Sequence, residues 1–107
     1  MYILAENKLI FSERRAIVMF KIRLSRHAKD RMKERNIKEE DVYEALHNPV
    51  QLVYDSWNDV YVAVSMKDIA VPYSLKGNVL EVLTVLSKKE YEALMSKFGR
   101  KRYKVLT

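Results

Sequence analysis

The most informative stretch of the chain reads Ser25-Arg26-His27-Ala28-Lys29-Asp30-Arg31-Met32-Lys33-Glu34-Arg35-Asn36-Ile37. Ser25 is a residue type that favours a helix start, and Asn36 is one that tolerates the left-handed backbone at a helix end. The stretch therefore predicts one helix between these two residues. Ala28 and Met32 lie four residues apart and mark the side of this helix that we expect to be buried.

A basic ridge beside that buried side is the first functional signal. His27, Arg31 and Arg35 repeat at a spacing of four, and at about 100° per residue they lie within roughly 80° of arc. An imidazole, whose charge normally changes between pH 5 and 8, would stand beside two permanent cations. This combination suits an anionic ligand, and RNA phosphate is the ligand that we favour. The alternative for the arginines is pairing with nearby acids, Arg31 with Glu34 and Arg35 with Glu39.

The composition fits one small domain without redox or membrane features. The chain has 107 residues, of which 49% are hydrophobic, enough for a single core. It contains no cysteine, which excludes disulfides, iron–sulfur clusters and thiol catalysis and is compatible with a reducing cytoplasm. No apolar run approaches the roughly 18 residues of a membrane helix, and the N-terminus does not resemble a signal peptide. We expect a cytoplasmic protein that does not contact the membrane.

The net charge of +6 is concentrated at the two ends of the predicted domain. Residues 21–40 carry eight Lys and Arg against four acids, and residues 88–107 carry seven against two, whereas residues 41–87 hold two against six. One interpretation is a polyanion site assembled from both ends, to which Arg100, Arg102, Tyr103 and Lys104 would add charge and a stacking ring. The alternative is a solvated surface with a frayed basic tail.

The chain predicts the order β-α-α-β-β-β-β-α from residue 16 onward. A strand over residues 16–24 precedes the basic helix, and a second helix follows over residues 38–47. Four strands are then expected at residues 50–54, 60–65, 69–75 and 79–86, and Pro72 suggests an edge or a bulge in the third. A capping box from Ser87 to Glu90 starts the last helix, which Gly99 ends. This pattern is α+β, with the helices on one side of an antiparallel, meandering sheet.

Residues 1–18 are predicted to be an N-terminal extension, and residues 19–107 a single domain. Tyr2-Ile3-Leu4 and Leu9-Ile10-Phe11 read as short strands around a turn at Glu6-Asn7-Lys8. Such strands can pair with the sheet edge of another copy, so a homodimer is one expectation.

Several residues together resemble a known family. The carrying motif is Ser25-x-His27-Ala28-x-x-Arg31-Met32-x-x-Arg35-x-Ile37, followed by Glu40-Asp41-Val42, Asn48-Pro49 and Leu83-Thr84-Val85. Over roughly residues 20–87 the chain resembles an uncharacterised family of small microbial domains related to the RelE, ParE and BrnT toxins, which share the barnase–colicin–RelE ribonuclease fold. The resemblance implies a RelE-like fold in which RNA meets the concave face of the sheet.

The same resemblance implies metal-independent RNA cleavage, with the substrate's 2′-hydroxyl as nucleophile. His27 would then transfer the proton, Arg31 and Arg35 would clamp the phosphate, and Thr84 would add a polar contact from a strand. An antitoxin protein would be a further partner. The chain departs from RelE because its strands between Val50 and Leu86 carry no arginine, so a helix-borne histidine would be required.

Two other functions stay open on the sequence alone. One is a non-catalytic module that binds RNA or the ribosome, and the other is a protein-interaction domain. Cleavage normally uses a second acid or base, for which the candidates are Tyr61, Tyr73, Tyr103 and Lys104. His47 fits a cation at a helix C-terminus. Two histidines twenty residues apart are a weak metal signal, and the chain has no Gly-rich phosphate loop, so no metal or cofactor is expected.

Overall fold

The elements follow from local sequence features and form one mixed α+β unit. The computed structural model describes the backbone of residues 2–5, 8–13 and 16–106 and the side chains of residues 20–106. The strands are β1 (Tyr2–Ala5), β2 (Lys8–Glu13), β3 (Ala16–Leu24), β4 (Gln51–Asp55), β5 (Val60–Val64), β6 (Ile69–Lys76), β7 (Val79–Val82), β8 (Leu86–Ser87) and β9 (Tyr103–Val105). The helices are α1 (Arg26–Glu34), α2 (Glu39–His47) and α3 (Lys88–Phe98), followed by one 3₁₀ turn (Gly99–Lys101).

The helix boundaries confirm the local predictions. The hydroxyl of Ser25 accepts a hydrogen bond from the Ala28 N–H at 3.0 Å, and Asn36 adopts the left-handed backbone with φ of 54°. Both bonds of the predicted capping box are present at the start of α3, between Ser87 and Glu90. Gly99 follows α3 with a φ of 50°, a conformation that glycine adopts without strain. None of the helices in the described ranges is long and apolar enough to cross a membrane.

The sheet corrects the prediction of a purely antiparallel meander. Its strand order is β1-β2-β3-β7-β6-β5-β4-β9, with β8 beside β6, and the β3–β7 pair is parallel. β3 and β7 run the same way because two helices and three strands separate them in the chain, a connection long enough for a crossover. The predicted N-terminal strands pair with β3 through β2, while their expected turn at Glu6 and Asn7 lies outside the described residues.

The predicted strand over residues 79–86 is interrupted, and Pro72 explains how the sheet tolerates the interruption. β7 and β8 both pair with β6, and residues 83–85 leave the ladder between them. Pro72 accepts a hydrogen bond from the Leu83 N–H at 2.9 Å, so the side of β6 that lacks a donor faces this break. The prediction of an edge strand was wrong, because β6 lies inside the sheet between β5 and β7.

The helices cover both faces of the sheet, which corrects the one-sided prediction. Neighbouring residues on β5 and β6 alternate between two core clusters, as a strand's period of two requires. Ala63 and Val71 pack with buried residues of α1 and α2 on the first face. Val62 and Ala70 pack with α3 and with Tyr103 on the second.

The C-terminal segment is a strand and not a frayed tail. β9 pairs antiparallel with β4, with Tyr103 opposite Asp55. Ser56 reinforces the pairing, since its N–H and its hydroxyl both donate to the Arg102 carbonyl at 2.8 Å. This strand places the last basic residues at one edge of the described sheet.

Candidate functional site

Ser25 fixes where α1 begins relative to the sheet. Its N–H donates to the Val82 carbonyl at 3.0 Å, and its hydroxyl donates to the Leu83 carbonyl at 2.8 Å. His27 follows Ser25 by two residues, and Thr84 follows Leu83 directly. The two hydrogen bonds therefore place the predicted residues His27 and Thr84 at one junction between α1 and the break in the sheet, which we call the α1–Thr84 junction.

His27 is free at this junction. Its side chain is exposed, and it makes no hydrogen bond or ion pair with any residue for which the structure describes side chains. An exposed imidazole of this kind can bind a ligand or exchange a proton without first breaking an internal contact.

Arg31 and Arg35 reach an acid on another helix, which the sequence analysis did not foresee. Arg31 Nη2 lies 2.6 Å from Glu90 Oε2, and Arg35 Nη1 lies 2.5 Å from Glu90 Oε1. The predicted partners within the basic segment, Glu34 and Glu39, form no ion pair with either arginine. Glu90 is also the acid of the α3 capping box, so its carboxylate accepts hydrogen bonds from Arg31 and from the Ser87 N–H and forms an ion pair with Arg35.

The electrostatics of this cluster leave an unbalanced positive charge. Burial raises the pKa of the Glu90 carboxyl, but the hydrogen bonds from Ser87 and Arg31 outweigh it and lower the pKa to about 2. Glu90 is thus ionised at neutral pH, and one negative charge faces two positive ones. The side chains of Arg31, Arg35 and Glu90 are 23%, 31% and 35% exposed, so solvent reaches all three.

An apolar cleft opens beside the junction on the face of the sheet that α3 partly covers. Its volume is about 250 Å³. Its lining includes Val62 and Pro72 of the sheet, Leu83 and Thr84 of the break, and Tyr91 of α3. Pockets for drug-sized ligands span about 300–1,000 Å³, so this cleft suits a single ring system or side chain. Thr84 lines the cleft and directly follows Leu83, whose carbonyl accepts from Ser25, so the start of α1 and the cleft meet at this segment of the chain.

Arg102 and Tyr103, two of the predicted RNA contacts, are engaged within the fold and also line the apolar cleft. Arg102 donates from Nε and Nη2 to the two oxygens of Asp55 at 3.0 and 2.9 Å, and the two side chains are only 15% and 4% exposed. The guanidinium also lies 5.3 Å from the ring centre of Trp57 and 4.9 Å from that of Phe98. Tyr103 is 5% exposed and lines the cleft together with Tyr91.

Residues 24–92 match a domain family described as a domain of unknown function, DUF4258. The chain belongs to the DUF4258 family. The matched segment begins at the end of β3 and ends within α3, so it contains α1, Thr84 and Glu90. Membership confirms the coarser part of the resemblance, an uncharacterised family of small domains, and shows no link to the RelE and ParE toxins. Comparisons with curated proteins and with solved structures find no match.

The exposed basic residues that follow α3 lie at a distance from the start of α1. The DUF4258 segment holds α1, which leaves the sheet at the end of β3, whereas the exposed residues Arg100 and Lys104 adjoin or lie in β9. β3 and β9 are five strand steps apart. At about 4.8 Å per step this is a separation of roughly 24 Å.

Sequence reasoning also missed a basic residue on the sheet. It considered only the strands after Val50, but β3 is part of the same sheet and carries Arg23. Arg23 pairs with Glu81 of β7 at 2.8 Å on the sheet face away from α1 and α2, where Ser74 and Lys76 line a second shallow pocket. The position of Arg23 in the predicted strand over residues 16–24 is the signal that could have revealed this. No group of three or more potential metal ligands is found where side chains are described, in the DUF4258 segment or after it.

Proposed function

We propose that this domain binds single-stranded RNA at the α1–Thr84 junction, with phosphates along α1 and one unstacked base in the apolar cleft. The observation that carries the proposal is the pair of Ser25 hydrogen bonds that joins a basic helix to the wall of an apolar cleft. A nucleotide has the same two parts, a charged phosphate and a largely apolar base. RNA is commonly recognised through splayed bases of single strands.

The phosphate side of the proposal rests on cations that no internal acid neutralises. Arg26, Lys29 and Lys33 of α1 are exposed and form no ion pair with a described residue. Contacts of this type supply most of the sequence-independent affinity for nucleic acid and make it depend on salt. Three such contacts to a single strand predict that the binding constant falls with a log–log salt slope of about −2.

The base side rests on the shape of the cleft and on Thr84. The cleft is open, mostly apolar and about the size of one ring system. The Thr84 hydroxyl makes no hydrogen bond with the described part of the chain, so it can donate to or accept from the edge of an inserted base. A base inside a duplex is stacked on both faces and cannot enter, which is why we specify a single strand.

Cleavage of the bound RNA is a second candidate, and the free imidazole of His27 favours it. A neutral imidazole at the junction can take the proton of a 2′-hydroxyl, and a general base of this kind contributes about 10²–10⁴-fold. In-line displacement needs the second proton donor on the opposite side of the phosphorus. Of the four predicted partners, Tyr103 lines the cleft but is buried, Tyr73 is buried, Tyr61 packs against the core that α1 covers, and Lys104 lies on β9. None of them offers an exposed acid at the junction, so we expect slow turnover.

The decisive experiment measures binding of a labelled RNA as single strand and as duplex at about 50 and 200 mM salt. We expect tighter binding of the single strand, a steep loss with salt, and weaker binding by Lys29→Gln and Thr84→Val. Lys101→Gln removes the same charge as Lys29→Gln near β9 and serves as the matched control.

Parallel incubations with and without a chelator test cleavage. Product that forms with chelator present and disappears in His27→Ala would establish the second candidate. Equal losses in Lys29→Gln and Lys101→Gln would instead indicate a diffuse basic surface. If no RNA binds even at low salt, the proposal is wrong and an acidic protein partner becomes the better explanation.

A further inference from the structure

We propose that Arg31 and Arg35 form a clamp for a phosphate monoester, the terminal phosphate of an RNA chain, and that Glu90 closes this clamp when no RNA is bound. The inference rests on the proposed function, because it adds an end-recognition site to the same helix. It concerns a different group of side chains from the exposed lysines that hold the RNA backbone.

The geometry of the cluster is that of an occupied oxyanion site. Two guanidinium groups from successive turns of α1 converge on separate oxygens of one carboxylate, at 2.6 and 2.5 Å. Guanidinium groups match carboxylate and phosphate with the same fork of parallel donors. The Glu90 carboxylate therefore occupies the position in which a phosphate would accept from both arginines.

The donors of the clamp are not all used. Arg31 Nε is buried and has no acceptor among the residues that the structure describes. A carboxylate has two oxygens, and each oxygen of Glu90 is already in an ion pair with one of the arginines. A phosphate monoester has three terminal oxygens, so it can satisfy both terminal nitrogens and leave one oxygen for a further donor.

Charge explains why the ligand is a monoester and not the RNA backbone. Glu90 carries one negative charge and is held in place by the chain, so it competes at a high effective concentration. A backbone phosphodiester carries one charge as well and gains nothing by displacing it. A terminal phosphate carries between one and a half and two charges at about pH 7, which matches the two arginines and favours the exchange.

When Glu90 leaves the clamp, α3 can keep its start. The Ser87 hydroxyl still accepts from the Glu90 N–H at 3.2 Å, and this bond does not involve the Glu90 carboxylate. Only the reciprocal bond, from the Ser87 N–H to Glu90 Oε1, is lost when a phosphate displaces the carboxylate. The exchange therefore loosens one half of the capping box without removing the helix start.

The test compares one oligonucleotide in three forms: unphosphorylated, 5′-phosphorylated and 3′-phosphorylated, with inorganic phosphate as a fourth ligand. We expect the wild-type protein to prefer one phosphorylated form by about tenfold, since a hydrogen bond to a charged group is worth at least that factor. Glu90→Gln should bind inorganic phosphate more tightly than wild type. Arg35→Gln should lose the preference between the RNA forms.

Arg26→Gln is the matched control, because it removes the same charge from the same helix outside the clamp. It should weaken all three RNA forms alike and keep the preference. Equal affinity of wild type for all three forms would overturn the inference while leaving RNA binding intact. A preference that survives in Arg35→Gln would overturn it too, because the terminal phosphate would then be recognised elsewhere. The RNA proposal itself fails on a different result, the absence of binding by the unphosphorylated strand.

Discussion

Two arginine centres of this molecule use the same chemistry in opposite ways. Near β9, Arg102 and Asp55 form a one-to-one pair with two hydrogen bonds, at 15% and 4% exposure and against aromatic rings. Beside α1, two arginines share the single carboxylate of Glu90, and all three side chains are about a quarter to a third exposed. The sequence analysis had assigned all three arginines to RNA.

The difference shows that burial and charge balance separate a structural arginine from one that can serve a ligand. A buried, balanced pair is costly to break, because the partner left behind is an uncompensated charge. An exposed cluster with one cation in excess is cheap to rearrange and still attracts anions. Substituting one member of each centre distinguishes a buried, balanced pair from an exposed cluster with excess charge.

The largest expected effect belongs to Arg102→Gln. Asp55 would be left buried without its guanidinium partner, and the free energy of unfolding should fall by about 3–5 kcal/mol. Chemical denaturation measures this loss. Arg100→Gln, two residues earlier and exposed, should stay within about 0.5 kcal/mol of wild type. A loss below about 1 kcal/mol for Arg102→Gln would place this centre in the same class as an exposed pair.

Glu90→Gln should have a smaller effect, about 1 kcal/mol. It weakens one half of a capping box and two partly exposed ion pairs, each of modest value. Glu92→Gln is the control, since Glu92 lies on the same helix, is exposed and forms no ion pair with a described residue. A loss of unfolding free energy of about 3 kcal/mol or more is the value expected for a buried ion pair. It would mean that Glu90 stabilises the fold as Asp55 does.

Acid should remove the contribution of Glu90 in a defined pH window. Its pKa is lowered from 4.5 to about 2, so its stabilising effect is fully present above pH 4.5 and is lost as the pH falls towards 2. Burial raises the pKa of Asp55, but the hydrogen bonds from Arg102 outweigh this effect, so the pKa is lowered overall. Protonation of Asp55 in acid therefore also destabilises the protein. The difference in unfolding free energy between wild type and Glu90→Gln measures the contribution of Glu90 alone. This difference should decrease as the pH falls from 4.5 to about 2. A constant difference would contradict the ion-pair assignment.

What the sequence could predict was local. The start and end of α1, the capping box of α3 and the left-handed Asn36 each depend on side chains within a few residues of the backbone that they satisfy. The strand segments followed from β-branched runs in the same way. The spacing of the ridge was also readable, because it needs only the geometry of one helix.

What the sequence could not predict depends on contacts between distant segments. The Arg31–Glu90 hydrogen bond joins residues 59 apart, and nothing in the capping-box pattern indicates a second role for its acid. The Arg102 side chain turned inward because β9 pairs with β4, a pairing set by the tertiary fold and not by the basic composition of the tail. The parallel pairing of β3 with β7 was missed for the same reason.

The smallest expected change in stability belongs to His27→Ala, and it extends the comparison to a residue with no partner at all. His27 is exposed and makes no described contact, so the unfolding free energy should stay within about 0.5 kcal/mol of wild type. Binding of single-stranded RNA should change little if the domain only binds, whereas any cleavage should disappear. Lys33→Ala, also exposed and on α1, is the control for loss of a polar side chain in the stability measurement. A clear destabilisation by His27→Ala alone would show that this residue holds α1 on the sheet, and the ridge would then belong to the fold along its whole length.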